Sequence, residues 1–320
     1  MSTNDNIQAL SRQLLHEFDL LSGRHPGWRP MHAKGLLLSG TFRPTAEAAT
    51  LSRATHFTQP KTPVTVRFSN FSGLPTTPDL DPKAEPRGCA VHFHLPGSER
   101  ADIIAHSTPY FPVGNGSDFL AMLRAMRASH GQPTPGSPLE LFFRQHPAAR
   151  AFAVRPVSLA SSFALEAYYG LTALRFVNEQ GAYRYGRLRL VPEAGTFSPI
   201  PAPTDLADPD ALFAELLARL ERGPVGFRLL VQLPGGDDPV LDTTRQWPES
   251  RPLVEAGHLM LTHPVPDSDQ AQQRLVFDPI PRLAGLEPSD DPLLELRAAV
   301  YQLSGQRRQA ESAALAANSA

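Results

Sequence analysis

The segments KGLLLSGTF (34–42), PVTVRFS (63–69), CAVHFHL (89–95) and DIIAHS (102–107) decide the fold class. Each is a short apolar run bounded by Pro, Gly or Asp, which is the pattern of β-strands rather than helices. YRYGRLRLVP from 183, FRLLVQL from 227 and GHLMLTH from 257 repeat it, with a helical pattern over 210–221 between the first two. Strands that follow one another without regular β-α alternation favour an antiparallel sheet, and closure into a barrel would remove its edges. The expected class is α+β, with helices added around the sheet. Ile7, Leu10, Leu14, Phe18 and Leu21 predict an amphipathic helix over 7–21. Phe119, Leu123 and Met126 predict another over about 118–129, capped by Ser117 or Asp118. From 309 onwards the tail has lost apolar periodicity and is expected to fray.

Composition narrows the function classes. With 320 residues and 41% hydrophobic content the chain can bury a sizeable core. Its 30 basic and 32 acidic side chains are interspersed and nearly balance, so no large basic surface is offered to a nucleic acid. The lone cysteine, Cys89, has no partner for an internal disulfide, which fits a reducing compartment. The first residues lack a basic start followed by an apolar run, and no stretch approaches the roughly 20 apolar residues of a membrane span. A cytoplasmic location is expected. Thirty-three prolines argue for extended connections rather than a helical bundle.

Near the C-terminus, GLEPSDDPLLELRAAVYQLSGQRR (285–308) carries a marked helix start, with Asp291 as cap and Pro292 at the first helical position. Arg297 and Tyr301 follow four residues apart and so share a helix face. A fixed guanidinium beside a phenol favours the phenolate, a hard anionic ligand for ferric iron, and Tyr is one of the few axial ligands of haem iron. Arg and Tyr four apart also occur on many helices for structural reasons, so the spacing alone does not decide. His32 heads the first strand, and Arg67 and Ser69 share one side of the next by its two-residue period. A neutral imidazole beside a small hydroxyl can take a proton from a bound peroxide and return it to the leaving oxygen. His92 and His94 also alternate on a strand, but no third local ligand completes a metal site.

The order of RPMHAKG, VRFS, PRGCAVHF, STPYF, DTTRQWP and GLEPSDDPLLELRAAVY resembles the haem catalase superfamily over about residues 29–308. That resemblance implies an eight-stranded antiparallel β-barrel with surrounding helices, preceded by an N-terminal helical arm (1–28) and followed by the tail (309–320). It implies haem b seated between barrel and helices, with Tyr301 as the iron ligand and Arg297 holding it as phenolate. His32 matches the distal histidine, Ser69 the residue bonded to that imidazole, and Phe119 a ring facing the haem. Arg29, Arg67 and Arg308 match arginines that pair with the haem propionates, a role suited to a forked guanidinium. Asp242 and Trp247 of LDTTRQWP fit the pattern as turn and packing residues.

Two departures from large catalases bear on activity. His106 stands where they carry a distal asparagine, which puts a titratable ring above the iron in place of an amide. This His-Ser pair resembles the small catalase-related peroxidases. The chain also ends soon after Tyr301, without the wrapping segment and C-terminal domain of the large enzymes. Less covering widens access for organic hydroperoxides and an external electron donor, and leaves no separate nucleotide-binding domain. The resemblance therefore implies a haem peroxidase working through a ferryl intermediate on a small peroxide. Disproportionation of hydrogen peroxide, hydroperoxide isomerisation and non-enzymatic haem binding are its rivals. Assembly into a homo-oligomer is left open.

Overall fold

The structure is a computed structural model, and it describes residues 3–156, 161–196 and 208–318. Its centre is an antiparallel sheet of strands β1 (Gly35–Pro44), β2 (Thr62–Ser69), β3 (Gly88–Phe93), β4 (Asp102–His106), β5 (Tyr168–Tyr169), β6 (Leu174–Val177), β7 (Tyr183–Pro192), β8 (Val225–Gln232), β9 (Leu253–Pro264) and β10 (Leu286–Pro288). Neighbours run β7-β5-β4-β3-β2-β1-β9-β8, and β8 pairs back onto β7, so eight strands close into a barrel. β6 and β10 extend the sheet beyond β7. The eight-stranded barrel expected above is thus present, and closure removes the unpaired edges a strand-rich chain would otherwise expose.

Alternation along the strands fills the barrel. Val64, Val66 and Phe68 of β2 point inward with Phe42, Phe93, Phe227 and Tyr168, and Phe163 packs against Phe68. Arg67 and Ser69, on the opposite face of β2, are also buried, because helices cover that side of the barrel wall.

The helices are α1 (Thr3–Ser22), α2 (Ala46–Leu51), α3 (Thr55–Thr58), α4 (Gly116–Ala128), α5 (Pro138–Gln145), α6 (Pro147–Ala153), α7 (Ala211–Arg222), α8 (Ser268–Arg274) and α9 (Pro292–Asn318). A second apolar cluster joins α1, α4 and α9 through Leu14, Leu15, Phe18, Leu120, Leu123, Leu296 and Val300. Among the described residues, no helix is long and apolar enough to cross a membrane.

Two expectations need correction. Asn115, not Ser117 or Asp118, caps α4: its Oδ1 accepts from Asp118 N at 2.9 Å, which places Ser117 and Asp118 inside the first turn. The tail does not fray at 309, for α9 continues to Asn318. Ala, Gln, Glu and Arg are strong helix formers, and the extension is tied down. Glu311 accepts from Gly27 N at 2.9 Å and from Arg24, and Gln309 donates to the Arg274 carbonyl. Residues 319 and 320 lie outside the described residues.

Candidate active site

Between the barrel wall and α9 the chain gathers most of the side chains singled out above. His32 sits in the turn before β1 with φ at +55°, a left-handed conformation uncommon for a residue with a side chain. The turn is held because His32 N donates to the Phe71 carbonyl and Ala33 N to that of Ser72. Its Nδ1 lies 3.1 Å from Ser69 Oγ, and the edge of Phe71 stands perpendicular to the imidazole. The His106 ring is 5.5 Å away, centroid to centroid. Gly88 makes this approach feasible: a Cβ there would lie 2.6 Å from Ser69 Oγ and 2.9 Å from His32 Nδ1. Sequence reasoning did not mark Gly88 as a site residue, since a glycine's neighbours show only once β2, β3 and β4 are in register.

Desolvation holds both imidazoles neutral. It pushes His32 well below the ordinary histidine range, helped by His106 and by the charges of Arg67 and Arg29. It pushes His106 down to about 3, with Arg297 adding to the effect. His106 Nδ1 is buried without a hydrogen-bond partner among the described residues.

Arg29, Arg67 and Arg308 converge beside this pair. Arg29 Nη2 and Arg308 Nη2 both donate to the Leu275 carbonyl, at 2.9 and 3.1 Å. Arg67 donates from Nε to Gln272 Oε1 at 2.6 Å and from Nη2 to the carbonyls of His32 and Ala33. Burial lowers all three, Arg67 to about 9 and Arg308 to about 10; repulsion from Arg67 and Arg308 adds to it at Arg29, from Arg308 at Arg67, and from Arg307 at Arg308. None of the three has a carboxylate at ion-pair distance among the described residues, and Arg308 Nε is buried with no acceptor. Asp269 and Glu311 attract Arg67 and Arg308 only from beyond ion-pair distance, so three neighbouring buried cations are costly here unless an anion joins them.

On α9, Arg297 Nη2 lies 3.5 Å from Tyr301 Oη, and its Nη1 donates to Thr172 Oγ1 at 3.2 Å. Asp291 Oδ1 accepts from Leu293 N and fixes the start of the helix. Tyr301, Phe119 and Met31 border the same apolar cluster. The ring neighbours of Phe119 are Phe18 and Phe111, so it belongs to that apolar wall and not to the histidine pair.

The catalase family profile matches residues 14–319. The chain belongs to the catalase family. It is 36% identical over 287 residues to a catalase-related peroxidase of Mycolicibacterium paratuberculosis, covering 88% of this chain and 89% of that one. With a catalase-related peroxidase of Synechococcus elongatus it shares 32% identity over 302 residues, covering 92% and 88%. Among solved structures, catalase A of Saccharomyces cerevisiae superposes with a TM-score of 0.77 at 20% identity. That match covers 89% of this chain but 62% of the yeast one, so the fold is shared while the yeast enzyme is much longer. The chain is an enzyme related to catalase.

Proposed function

We propose that this member of the catalase family is a haem b peroxidase that reduces organic hydroperoxides, and hydrogen peroxide, with an external electron donor. The observation that carries the reading is the cationic trio Arg29, Arg67 and Arg308, placed beside a neutral His32–Ser69 pair and a helix face bearing Arg297 and Tyr301. A trio lacking carboxylate partners suits the two propionates of a haem, and the unpartnered Nε of Arg308 gives one of them a further donor. Tyr301 would hold the iron through its side-chain oxygen, with the Arg297 guanidinium beside that oxygen.

Haem bound there would supply the two-electron redox chemistry that cleavage of a peroxide O–O bond requires. The rest is the work of the side chains. With Nδ1–H donating to Ser69 Oγ, the His32 Nε2 lone pair is free to take the proton of ROOH. His32, kept neutral by burial, then returns that proton to the departing RO oxygen. Overall, ROOH, two electrons and two protons give ROH and water, so the donor must deliver electrons and the solvent protons. His106 offers a second ring nitrogen for that proton traffic where an amide would offer none.

Disproportionation of hydrogen peroxide at the same site is the second reading, favoured by the catalase barrel itself. The visible spectrum of the purified ferric protein tests the cofactor, with Tyr301→Phe alongside. Dye oxidation driven by an alkyl hydroperoxide, set against oxygen release from hydrogen peroxide, tests the reaction. A tyrosinate-type spectrum lost in Tyr301→Phe, with dye oxidation and little oxygen, is the expected result. Vigorous oxygen release would favour the second reading, and a haem-free, peroxide-inert protein would overturn both.

A further inference from the structure

Gln272, on α8, is buried, and its amide serves two partners on the barrel wall. Oε1 accepts from Arg67 Nε at 2.6 Å, while Nε2 donates to the Gly35 carbonyl at 2.9 Å and to Ser268 Oγ at 3.2 Å. The orientation of the amide is forced, since a guanidinium can only donate and a carbonyl can only accept. Arg67 is held at a second point, where its Nη2 donates to the carbonyls of His32 and Ala33 at 2.8 and 2.9 Å. A guanidinium is planar, so fixing Nε and Nη2 fixes the whole fork. Gly35 leaves room for it: a Cβ there would lie 2.5 Å from Arg67 Cζ. Only Nη1 is left without an acceptor among the described residues, and it is the nitrogen that can meet an anion.

We propose that Gln272 is a positioning residue for His32, acting through Arg67. His32 takes a φ of +55°, a conformation that persists only where its surroundings over-determine it. Three ties do so. The amide of His32 donates to Phe71, its carbonyl accepts from Arg67, and its ring meets Ser69, two residues beyond Arg67 on β2. The carbonyl tie is the one that an anion can undo. An anion at Nη1 attracts the whole guanidinium, and a side chain with free torsions would swing towards it and leave the carbonyls of His32 and Ala33. Gln272 resists the swing because Nε–H is committed to an acceptor on a helix that is itself fastened to β1: Leu37 N donates to Ser268 Oγ at 3.0 Å. Arg67 can then meet an anion and hold the His32 turn at the same time. The exact placing of His32 matters to catalysis under the peroxidase reading, whereas the tie itself is a property of the chain.

Two substitutions separate this role from simple docking of α8. Gln272→Met keeps the length of the side chain and removes both bonds. Gln272→Glu keeps an oxygen facing Arg67 Nε and removes the donor to Gly35. Amide hydrogen exchange of the purified protein over residues 31–34 should run about tenfold faster in Gln272→Met, as loss of one hydrogen bond to a charged group implies, and should return to within about twofold of wild type in Gln272→Glu. For an alkyl hydroperoxide, kcat per bound haem should fall about tenfold in Gln272→Met with KM near the wild-type value, and should recover in Gln272→Glu. Exchange as slow as wild type in Gln272→Met would overturn the tie. Equal losses in the two variants would also overturn it and assign Gln272 to the docking of α8 on Gly35. Faster exchange with kcat unmoved would overturn the catalytic role of the tie. If Gln272→Met does not fold, Gln272→Glu decides alone, a protected turn supporting the tie and an exposed one overturning it. A wild-type protein that is haem-free or inert to peroxides would count against the peroxidase reading, while exchange over the turn would still read the tie.

Discussion

Arg297 and Tyr301 occupy one face of a single helix, whereas the opposite wall is assembled from the turn before β1 and from the ends of β2, β3 and β4, which supply His32, Ser69, Gly88 and His106. A helix face is set locally by its 3.6-residue repeat and survives changes elsewhere. The strand-built wall depends on three registers at once, and a shift in any of them moves a side chain across the sheet. The helix should therefore govern how the iron is held, and the histidines of the strand wall what the bound haem does. Replacing His32 by Ala tests this division most sharply. Turnover of an alkyl hydroperoxide should fall by about 10²–10⁴-fold, the usual worth of a positioned acid–base group. The ferric spectrum should remain that of a tyrosinate haem, and its loss would show that the two walls are not independent.

Gly88→Ala probes the same wall without touching a titrating group. The added methyl enters the space of Ser69 Oγ and His32 Nδ1, so the imidazole must shift by a few tenths of an ångström or more. Misplacement on the 1 Å scale costs about 10²-fold in rate, and steady-state kinetics at saturating peroxide should show a loss approaching that, with haem content unchanged. Rates equal to wild type would mean that the turn carrying His32 yields freely despite its ties to Phe71 and Ser72.

The barrel interior holds a third imidazole for comparison with these two. His56 is 2% exposed, packed at a tilt against the rings of Phe57 and Phe93, and burial pushes it down to about 3. A base lowered on folding binds its proton more readily in the unfolded chain, so stability is intact above the unfolded value near 6.5 and drains away as pH falls towards 3. At pH 5 that amounts to about 2 kcal/mol from His56 alone. Denaturant melts of wild type and His56→Leu at pH 7 and pH 5 should show the variant gaining about 2 kcal/mol on wild type over that interval. A constant difference would mean that the charged ring finds a partner on folding.

Legibility in the sequence followed the same division. Period-two runs such as PVTVRFS and the capped start at Asp291–Pro292 foretold β2 and α9, because strand pattern and helix caps are written in neighbouring residues. Arg297 and Tyr301 could be paired on spacing alone. His32 and Ser69 could not, since nothing local says that a turn at 32 folds over the end of a strand at 69, and only resemblance to a family brought them together. Gly88 and Gln272 carried no signal, their meaning lying wholly in tertiary contacts. The continuation of α9 past 309 was missed because apolar periodicity reports a buried face, while an exposed helical end rests on propensity and side-chain ties.

Those ties join the two walls, and they set the smallest of the expected effects. Glu311 stands on the continuation of the Tyr301 helix, yet its carboxylate accepts from Gly27 N and from Arg24, in the turn that leads through Arg29 to His32. The bond to a backbone amide is a charged one in a half-buried setting, so Glu311→Ala should cost about 1–2 kcal/mol of stability, read as a lower midpoint in a denaturant melt. Because Gly27 takes a φ of +80°, the turn keeps its shape only where it is held, and loosening it frees Arg29 before it reaches His32, which has its own hydrogen bonds to the 71–72 segment. Haem affinity, measured by titration of the haem-free protein, should accordingly fall a few-fold in Glu311→Ala. A fall of the same size in Arg29→Ala, with no further loss when both are changed, would place the coupling in the turn, whereas additive losses would show that the end of α9 stabilises the chain without steering either wall.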